Sequence, residues 1–207
     1  TNDGQNYEYS LGLNGLGSCA TQYTAEYMDV TVKRDGFIYR LNFKKGKNVT
    51  KAEGKLIKEP YSGRDTGTVH RWRPDLEVFT DIDIPLEYYV ETLKKQAVVN
   101  EGIKFVLKNE IAANKFETSE FLYTNGISDY VAELAGMDAV TPVHFIKGER
   151  KGRDREDKPE YKVKLSVAFC FSNKEPSITY FHNSSWLEHG GAPEKATRSA
   201  FVSAIKA

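Results

Sequence analysis

The stretch Ser10-Leu11-Gly12-Leu13-Asn14-Gly15-Leu16-Gly17-Ser18-Cys19 holds three glycines within six residues, directly ahead of a helical pattern. Glycine lets the backbone turn sharply and approach a ligand closely. The unpaired N–H groups at a helix start attract an anion. These residue types therefore allow a phosphate cradle. The spacing is Gly-x-x-Gly-x-Gly, which is not a dinucleotide fingerprint, and no Gly-Lys-Ser/Thr follows to make a Walker loop. On the pattern alone, a glycine turn capping a helix explains the stretch equally well.

Other reactive residues are scattered. His70, His144, His182 and His189 fall in separate segments, and no His/Cys/Asp cluster has metal-ligand spacing. No Gly-x-Ser-x-Gly elbow supports a hydrolytic triad. From Asp75 to Glu91 there are six acidic residues and no basic one. With Pro85 among them, they read as charges favouring a helix N-terminus rather than as an acid–base pair. From Lys33 to Lys58 there are nine basic and two acidic residues. That stretch reads either as a solvated hairpin or as a phosphate-facing surface. Trp72 and Trp186 read as packing residues.

The elements that would position these groups follow from period and turn chemistry. Residues 19–28 carry Ala20, Tyr23, Tyr27 and Met28 at helical spacing. Met28 to Val32 alternates, Arg34-Asp35-Gly36 turns, and Phe37 to Phe43 resumes, which predicts a hairpin. Thr68 to Trp72 is a strand. Pro85 opens a helix to about Ala97. Gly102 to Lys108 and Thr118 to Tyr123 are strands. Ser128 caps a short helix, Asp129 to Leu134, that Gly136 ends. Thr141 to Lys147, Tyr161 to Phe171 and Ser177 to His182 are further strands, with a solvated loop of mixed charge from Glu149 to Glu160. A Gly190-Gly191 turn precedes a last helix from Pro193 to Ala207. The best domain boundary lies near Asn125–Ser128.

Composition narrows the class. The chain has 207 residues, 29 Lys+Arg against 29 Asp+Glu, and 40% hydrophobic residues. It can bury a core, and zero net charge excludes a whole-surface basic field. No apolar run approaches the 18 or so residues of a membrane helix. The polar start, Thr1 to Asn6, lacks a signal-peptide core. Cys19 and Cys170 cannot form a disulfide framework. The expectation is a cytoplasmic protein with no membrane partner. The sequons at Asn48 and Asn183 then read as chance. The abrupt ends suggest a piece of a longer polypeptide.

Five collinear segments carry a family resemblance over essentially the whole chain. Tyr7-Glu8-Tyr9-Ser10-Leu11-Gly12-Leu13-Asn14-Gly15-Leu16-Gly17 resembles the ATP lid of the type II DNA topoisomerases of the gyrase B class. Val32-Lys33-Arg34-Asp35-Gly36 resembles that family's strand–turn–strand. Thr66-Gly67-Thr68 with Trp72-Arg73-Pro74 resembles its Thr-Gly-Thr…Phe-Trp-Pro segment. Tyr123-Thr124-Asn125-Gly126-Ile127 resembles its join to the transducer domain. Gly190-Gly191 with Arg198-Ser199-Ala200-Phe201 resembles the transducer helix region.

The resemblance implies an α+β fold. Residues 1–127 would be the C-terminal part of a GHKL ATPase α/β sandwich, helices layered on a mixed sheet. Residues 128–207 would start a ribosomal-protein-like transducer. By position, Tyr7 would reach adenine, and Gly12, Leu13, Asn14, Gly15, Leu16 and Gly17 would wrap the triphosphate. Thr68 would help hold adenine. Arg34 would stand at the pocket mouth, where coumarin-type inhibitors lie. Lys151, Arg153 and Arg155 are the DNA-contact candidates. The implied cofactors are ATP and Mg2+. The implied partners are DNA, a second copy of the ATPase domain, and a DNA-cleaving subunit. The family's catalytic glutamate and magnesium ligand lie N-terminal to the lid, so this chain alone is expected not to hydrolyse ATP. Asn14 stands where the family has His, Leu11 where it has Gly, and Ala192-Pro193 where it has Thr-His. The alternatives are a non-catalytic DNA-binding or assembly module, or another GHKL ATPase.

Overall fold

The computed structural model describes residues 16–51, 54–153, 155–157 and 159–206. These residues divide into two compact units, one ending at Ile84 and the other beginning at Pro85.

The first unit opens with helix α1 (Leu16–Thr24) and continues directly into strand β1 (Ala25–Arg34). The helix stops four residues short of the expected Met28. Residues 25–34 alternate along a pleat, and Met28 is buried where it pairs with Phe43 on one side and Trp72 on the other. Pairing along two edges overrides the helical spacing of Tyr27 and Met28. A tight turn leads to β2 (Phe37–Lys44). Asp35 and Gly36 both have positive φ, 53° and 75°, the geometry a two-residue hairpin turn demands. Short strands β3 (Lys47–Asn48) and β4 (Ile57–Pro60) share the outer edge of β2, and β5 (Gly67–Pro74) pairs with the other edge of β1. The sheet order is β3-β2-β1-β5, with β4 also on β2. Every pairing among the described residues is antiparallel, so the expected mixed sheet is not seen there.

The register sorts this sheet into two chemically different faces. Directly opposed residues share a face and successive residues alternate. Met28, Val30 and Val32 therefore lie with Tyr39, Leu41 and Phe43 on one side, which is apolar. Asp29, Thr31 and Lys33 lie with Ile38, Arg40 and Asn42 on the other. On that polar side Thr50 is buried at 3% exposure. Its hydroxyl donates to Asn48 Oδ1 at 2.6 Å and accepts the Asn42 backbone N–H at 3.0 Å. Asn42 Nδ2 in turn donates to Asp29 at 2.6 Å. The Asn48 sequon is thus a closed turn whose threonine is enclosed.

The second unit begins with α2 (Leu86–Val99), which Pro85 precedes from the N-cap, one position before the expected first turn. The hairpin β6 (Phe105–Ala112) and β7 (Lys115–Phe121) runs longer than the sequence suggests. Helix α3 (Ile127–Ala135) starts before Ser128, which lies in its first turn. The expected Ser128 cap is not formed: Gly126 is the N-cap with no side-chain cap hydrogen bond, and Asp129 in the first turn accepts the Asn125 backbone N–H at 2.8 Å. Gly136 ends α3 as expected, and a 3-10 turn follows at Gly136–Asp138. The hairpin β8 (His144–Gly152) and β9 (Tyr161–Phe169) absorbs Glu149 to Gly152 into a strand, so the loop is shorter than the charge pattern implies. The strand expected at Ser177–His182 shrinks to β10 (Phe181–His182), paired with β11 (Ser185–Trp186). Asn183 and Ser184 fill that turn with φ of 45° and 67°. Helix α4 (Ala192–Lys206) follows the glycine pair.

The core of this unit is Ala97, Val98 and Tyr123, flanked by Phe105, Phe121, Ile127, Tyr130 and Phe181. Gly126 sits at φ 54°, ψ −126°. That region is essentially closed to side chains, and a Cβ there would meet the Val98 carbonyl oxygen at 3.2 Å.

Candidate functional site

Of the phosphate-wrapping candidates, Tyr7, Gly12, Leu13, Asn14 and Gly15 lie outside the described residues. Leu16 and Gly17 form the first turn of α1, and Leu16 is 67% exposed. A Cβ on Gly17 would meet nothing within 4 Å. The first turn carries no acidic side chain, so its N–H groups keep their pull on an anion.

The remaining two candidates are brought together by the register of the first sheet. Thr68 on β5 pairs with Val32 on β1, and Arg34 is two residues further along β1. Thr68, Val32 and Arg34 therefore share the apolar face, with Thr68 and Arg34 as diagonal neighbours roughly 7–8 Å apart at the backbone. His70 and Trp72 follow Thr68 on that face, and Phe37 pairs with Arg34. The Lys58 ammonium lies over the Phe37 ring, 4.0 Å from its centroid. The Arg34 guanidinium reaches Asp35 at 3.1 Å and is otherwise solvated, with 75% of its side chain exposed. The result is a largely apolar floor bearing the Thr68 and Tyr39 hydroxyls and the His70 ring, edged by cations. Such a surface suits a flat heteroaromatic ring carrying an anionic tail. Among the described residues no three His, Cys, Asp or Glu side chains converge as a metal cage, so this surface does not by itself fit a magnesium site.

On the reverse side of the same strand end, Lys33 donates to Asp65 at 2.7 Å and to the Tyr61 hydroxyl at 3.2 Å. Asp65 chiefly, then Tyr61, raises the Lys33 pKa above its ordinary value, and the same pairing lowers that of Asp65. This cluster pins the loop between β4 and β5 beneath Thr68.

In the second unit, the segment around Tyr123 is structural. The Tyr123 hydroxyl donates to Glu133 at 2.6 Å, and Lys94 donates to the other carboxylate oxygen. Lys94 first, and Tyr123 second, holds the Glu133 carboxyl below its usual range. Burial first, then the Glu133 hydrogen bond, pushes the Tyr123 hydroxyl upward. Tyr130 meets Tyr123 edge to face at 5.9 Å.

The DNA-contact candidates separate. Lys151 is on β8 and its side chain is 83% exposed. Arg153 and Arg155 are in the loop, paired with Glu160 at 3.2 Å and Asp157 at 3.3 Å. Sequence reasoning missed Lys147, Lys162 and Lys164, which share a face with Lys151 by register. The alternation Tyr161-Lys162-Val163-Lys164-Leu165 was the available signal.

Comparison with known proteins agrees with this architecture. The fold is α+β. It resembles the crystal structure of the 43K ATPase domain of Thermus thermophilus gyrase B in complex with an aminocoumarin, with a TM-score of 0.57 at 24% identity. That match covers 65% of this chain and 36% of that one. Residues 126–207 match the DNA gyrase B family. The DNA topoisomerase IV B protein of Bacillus subtilis is 30% identical over 204 residues, covering 96% of this chain and 28% of that protein. The DNA gyrase B protein of Thermotoga maritima is 29% identical over 199 residues, covering 95% of this chain and 30% of that protein. Residues 126–207 thus fall within the DNA gyrase B family, and the chain along nearly its whole length is similar to the B proteins of gyrase and topoisomerase IV. It spans about 30% of the length of these two relatives.

Proposed function

We propose that this chain supplies part of the ATP-operated clamp of a cytoplasmic type II DNA topoisomerase. The observation that carries the reading is the shared face of Thr68 and Arg34 at one end of β1 and β5. Adenine lies against the apolar side of the sheet and accepts or donates one hydrogen bond at Thr68. Arg34 stands at the mouth of the pocket. The amides of Gly12, Leu13, Asn14, Gly15, Leu16 and Gly17 wrap the phosphates, and Tyr7 reaches the base. ATP supplies the anionic groups that turn a loose lid into an ordered one. Ordering of the lid dimerises two subunits around DNA, and hydrolysis, with magnesium held by residues of the family outside this set, resets the clamp. The cleaving tyrosine is carried by a partner subunit. Residues 128–207 form the start of the transducer; the family match begins at residue 126, and the compact unit that carries these residues begins earlier, at Pro85.

Two measurements on the pure chain test this. Titration with a fluorescent ATP analogue should show saturable binding that unlabelled ATP displaces. An ATPase assay with magnesium should show no turnover. Absence of binding sinks the nucleotide assignment, and measurable turnover sinks the expectation that the chain is catalytically incomplete.

A further inference from the structure

Among the described residues, helix α1 is held at its last turn only. None of its nine residues is buried, and Leu16, Gly17 and Ser18, its first turn, are exposed. The last turn is gripped. Gln22 Nε2 donates to the Gly46 carbonyl at 2.8 Å. The Tyr23 ring lies so close to Gly46 that a Cβ there would run into Cδ1 and stand 2.9 Å from Cε1. The Thr24 carbonyl accepts the Asp75 backbone N–H at 3.0 Å. The grip belongs to the two-residue turn Lys45-Gly46 between β2 and β3, with φ of 48° and 76°, a backbone that glycine fits and a side chain strains. The turn is itself pinned. The Lys45 backbone N–H donates to the Glu26 carbonyl at 3.2 Å. The Lys45 ammonium lies 3.6 Å from the buried Asp75 carboxylate and 2.5 Å from Glu77.

We propose that the Lys45-Gly46 turn is a positioning device that aims α1, so that its hold on Gln22 and Tyr23 sets how well the first-turn amides meet a nucleotide's phosphates. The identity of the ligand rests on the nucleotide reading above; the mechanics rest on these contacts alone. A helix of nine residues is about 13 Å long. A rotation of roughly 10° about its last turn carries its first turn roughly 2 Å. That exceeds the spread of about 0.5 Å within which a hydrogen bond keeps its length. An error at the gripped end therefore reaches the free end as a lost amide–phosphate contact. Gln22 and Tyr23 are consecutive and hold one residue by two handles, its carbonyl oxygen and its α-carbon. Thr68 and Arg34 stand toward the other end of β1, so the base contacts stay in place when α1 swings.

Two readouts on the whole 207-residue chain test this. The first is displacement of the fluorescent ATP analogue by ATP and by adenosine, which has no phosphates. Tyr23→Ala removes the ring and favours the helix. In that variant the ratio of ATP to adenosine affinity should fall about fivefold or more, the worth of one misplaced hydrogen bond. Gly46→Ala should lower the ratio likewise, and Tyr23→Phe, which keeps the ring, should restore the parent value. A merely structural defect would weaken both ligands in step. The second readout needs no nucleotide. A nitroxide on Cys19, exposed on α1, in a Cys170→Ser background, should tumble about twofold faster or more in Tyr23→Ala and Gly46→Ala. If Gly46→Ala fails to fold by circular dichroism, Gln22→Leu, which loses the donor to Gly46, takes its place. An unchanged ratio overturns the proposal. So does equal weakening of both ligands, or a nitroxide as mobile in the parent as in the variants. A nitroxide released by the variants in a chain that binds neither ligand supports the anchor and defeats only the clamp.

Discussion

Replacing Thr68 by valine keeps a β-branched strand residue and deletes one hydroxyl. Thr68 is exposed and belongs to no buried network, so the fold should be unaffected. Nucleotide affinity should fall by about 1 kcal/mol, roughly fivefold, the usual worth of one hydrogen bond, as read by analogue titration. Thr50 is the opposite case. Thr50→Val leaves its buried partners at Asn42 and Asn48 unmatched and should cost about 1–3 kcal/mol of stability in urea unfolding, with nucleotide binding unchanged. The Tyr123–Glu133–Lys94 group predicts a pH profile. Glu133 is depressed from its ordinary 4.5, so its stabilisation is present above that value and is lost as pH falls through the lower folded one. Tyr123 is raised from its ordinary 10.0, so its share is complete below that value and is lost as pH rises through the higher folded one. The melting temperature should therefore be level in mid-range and drop at both ends, and Tyr123→Phe should lessen the alkaline drop, leaving the part that the raised Lys33 and Lys45 contribute. Thr68 and Arg34 were singled out as candidates by motif position. The enclosure of Thr50 was not, because it depends on a turn closing eight residues from Asn42.

At the scale of elements, local chemistry was a good guide where the chain turns on itself. Asp35-Gly36 marked its hairpin, Pro85 its helix start and Gly136 its helix end. It misled where partners distant in sequence decide. Tyr27 and Met28 carry helical spacing, yet the strands bearing Phe43 and Trp72 claim them. Ser128 is a good cap residue, yet Gly126 supplies the backbone geometry and Asp129 the hydrogen bonds. Gly126→Ala should cost about 1–3 kcal/mol, because it adds both a forbidden dihedral and a contact with Val98. The loss should appear in thermal melts, and a neutral result would mean that the join tolerates another path. The face that unites Thr68 with Arg34 was hidden for the same reason: strand pairing across 34 residues fixes it, not any local pattern.

For the whole molecule, charge balance excluded a uniformly basic surface and left room for a local one. The family was readable from collinear motifs, each weak alone. The division at Ile84 and Pro85 was not, because Asp75 to Glu91 reads as one continuous acidic run. The segment between β5 and α2 is free of regular structure and bears exposed Leu76, Val78, Phe79 and Ile84. Brief thermolysin treatment should cut there first and leave two resistant pieces, and cleavage scattered elsewhere would argue against two units.

The water-averse side of the first sheet has a practical consequence. Val30, Val32, Leu41 and Phe43 are only half-buried, and Trp72 remains 44% exposed. In isolation such a surface should light up an anilinonaphthalene dye, promote clumping at high protein concentration, and surrender the dye to any planar compound that settles on the same strands.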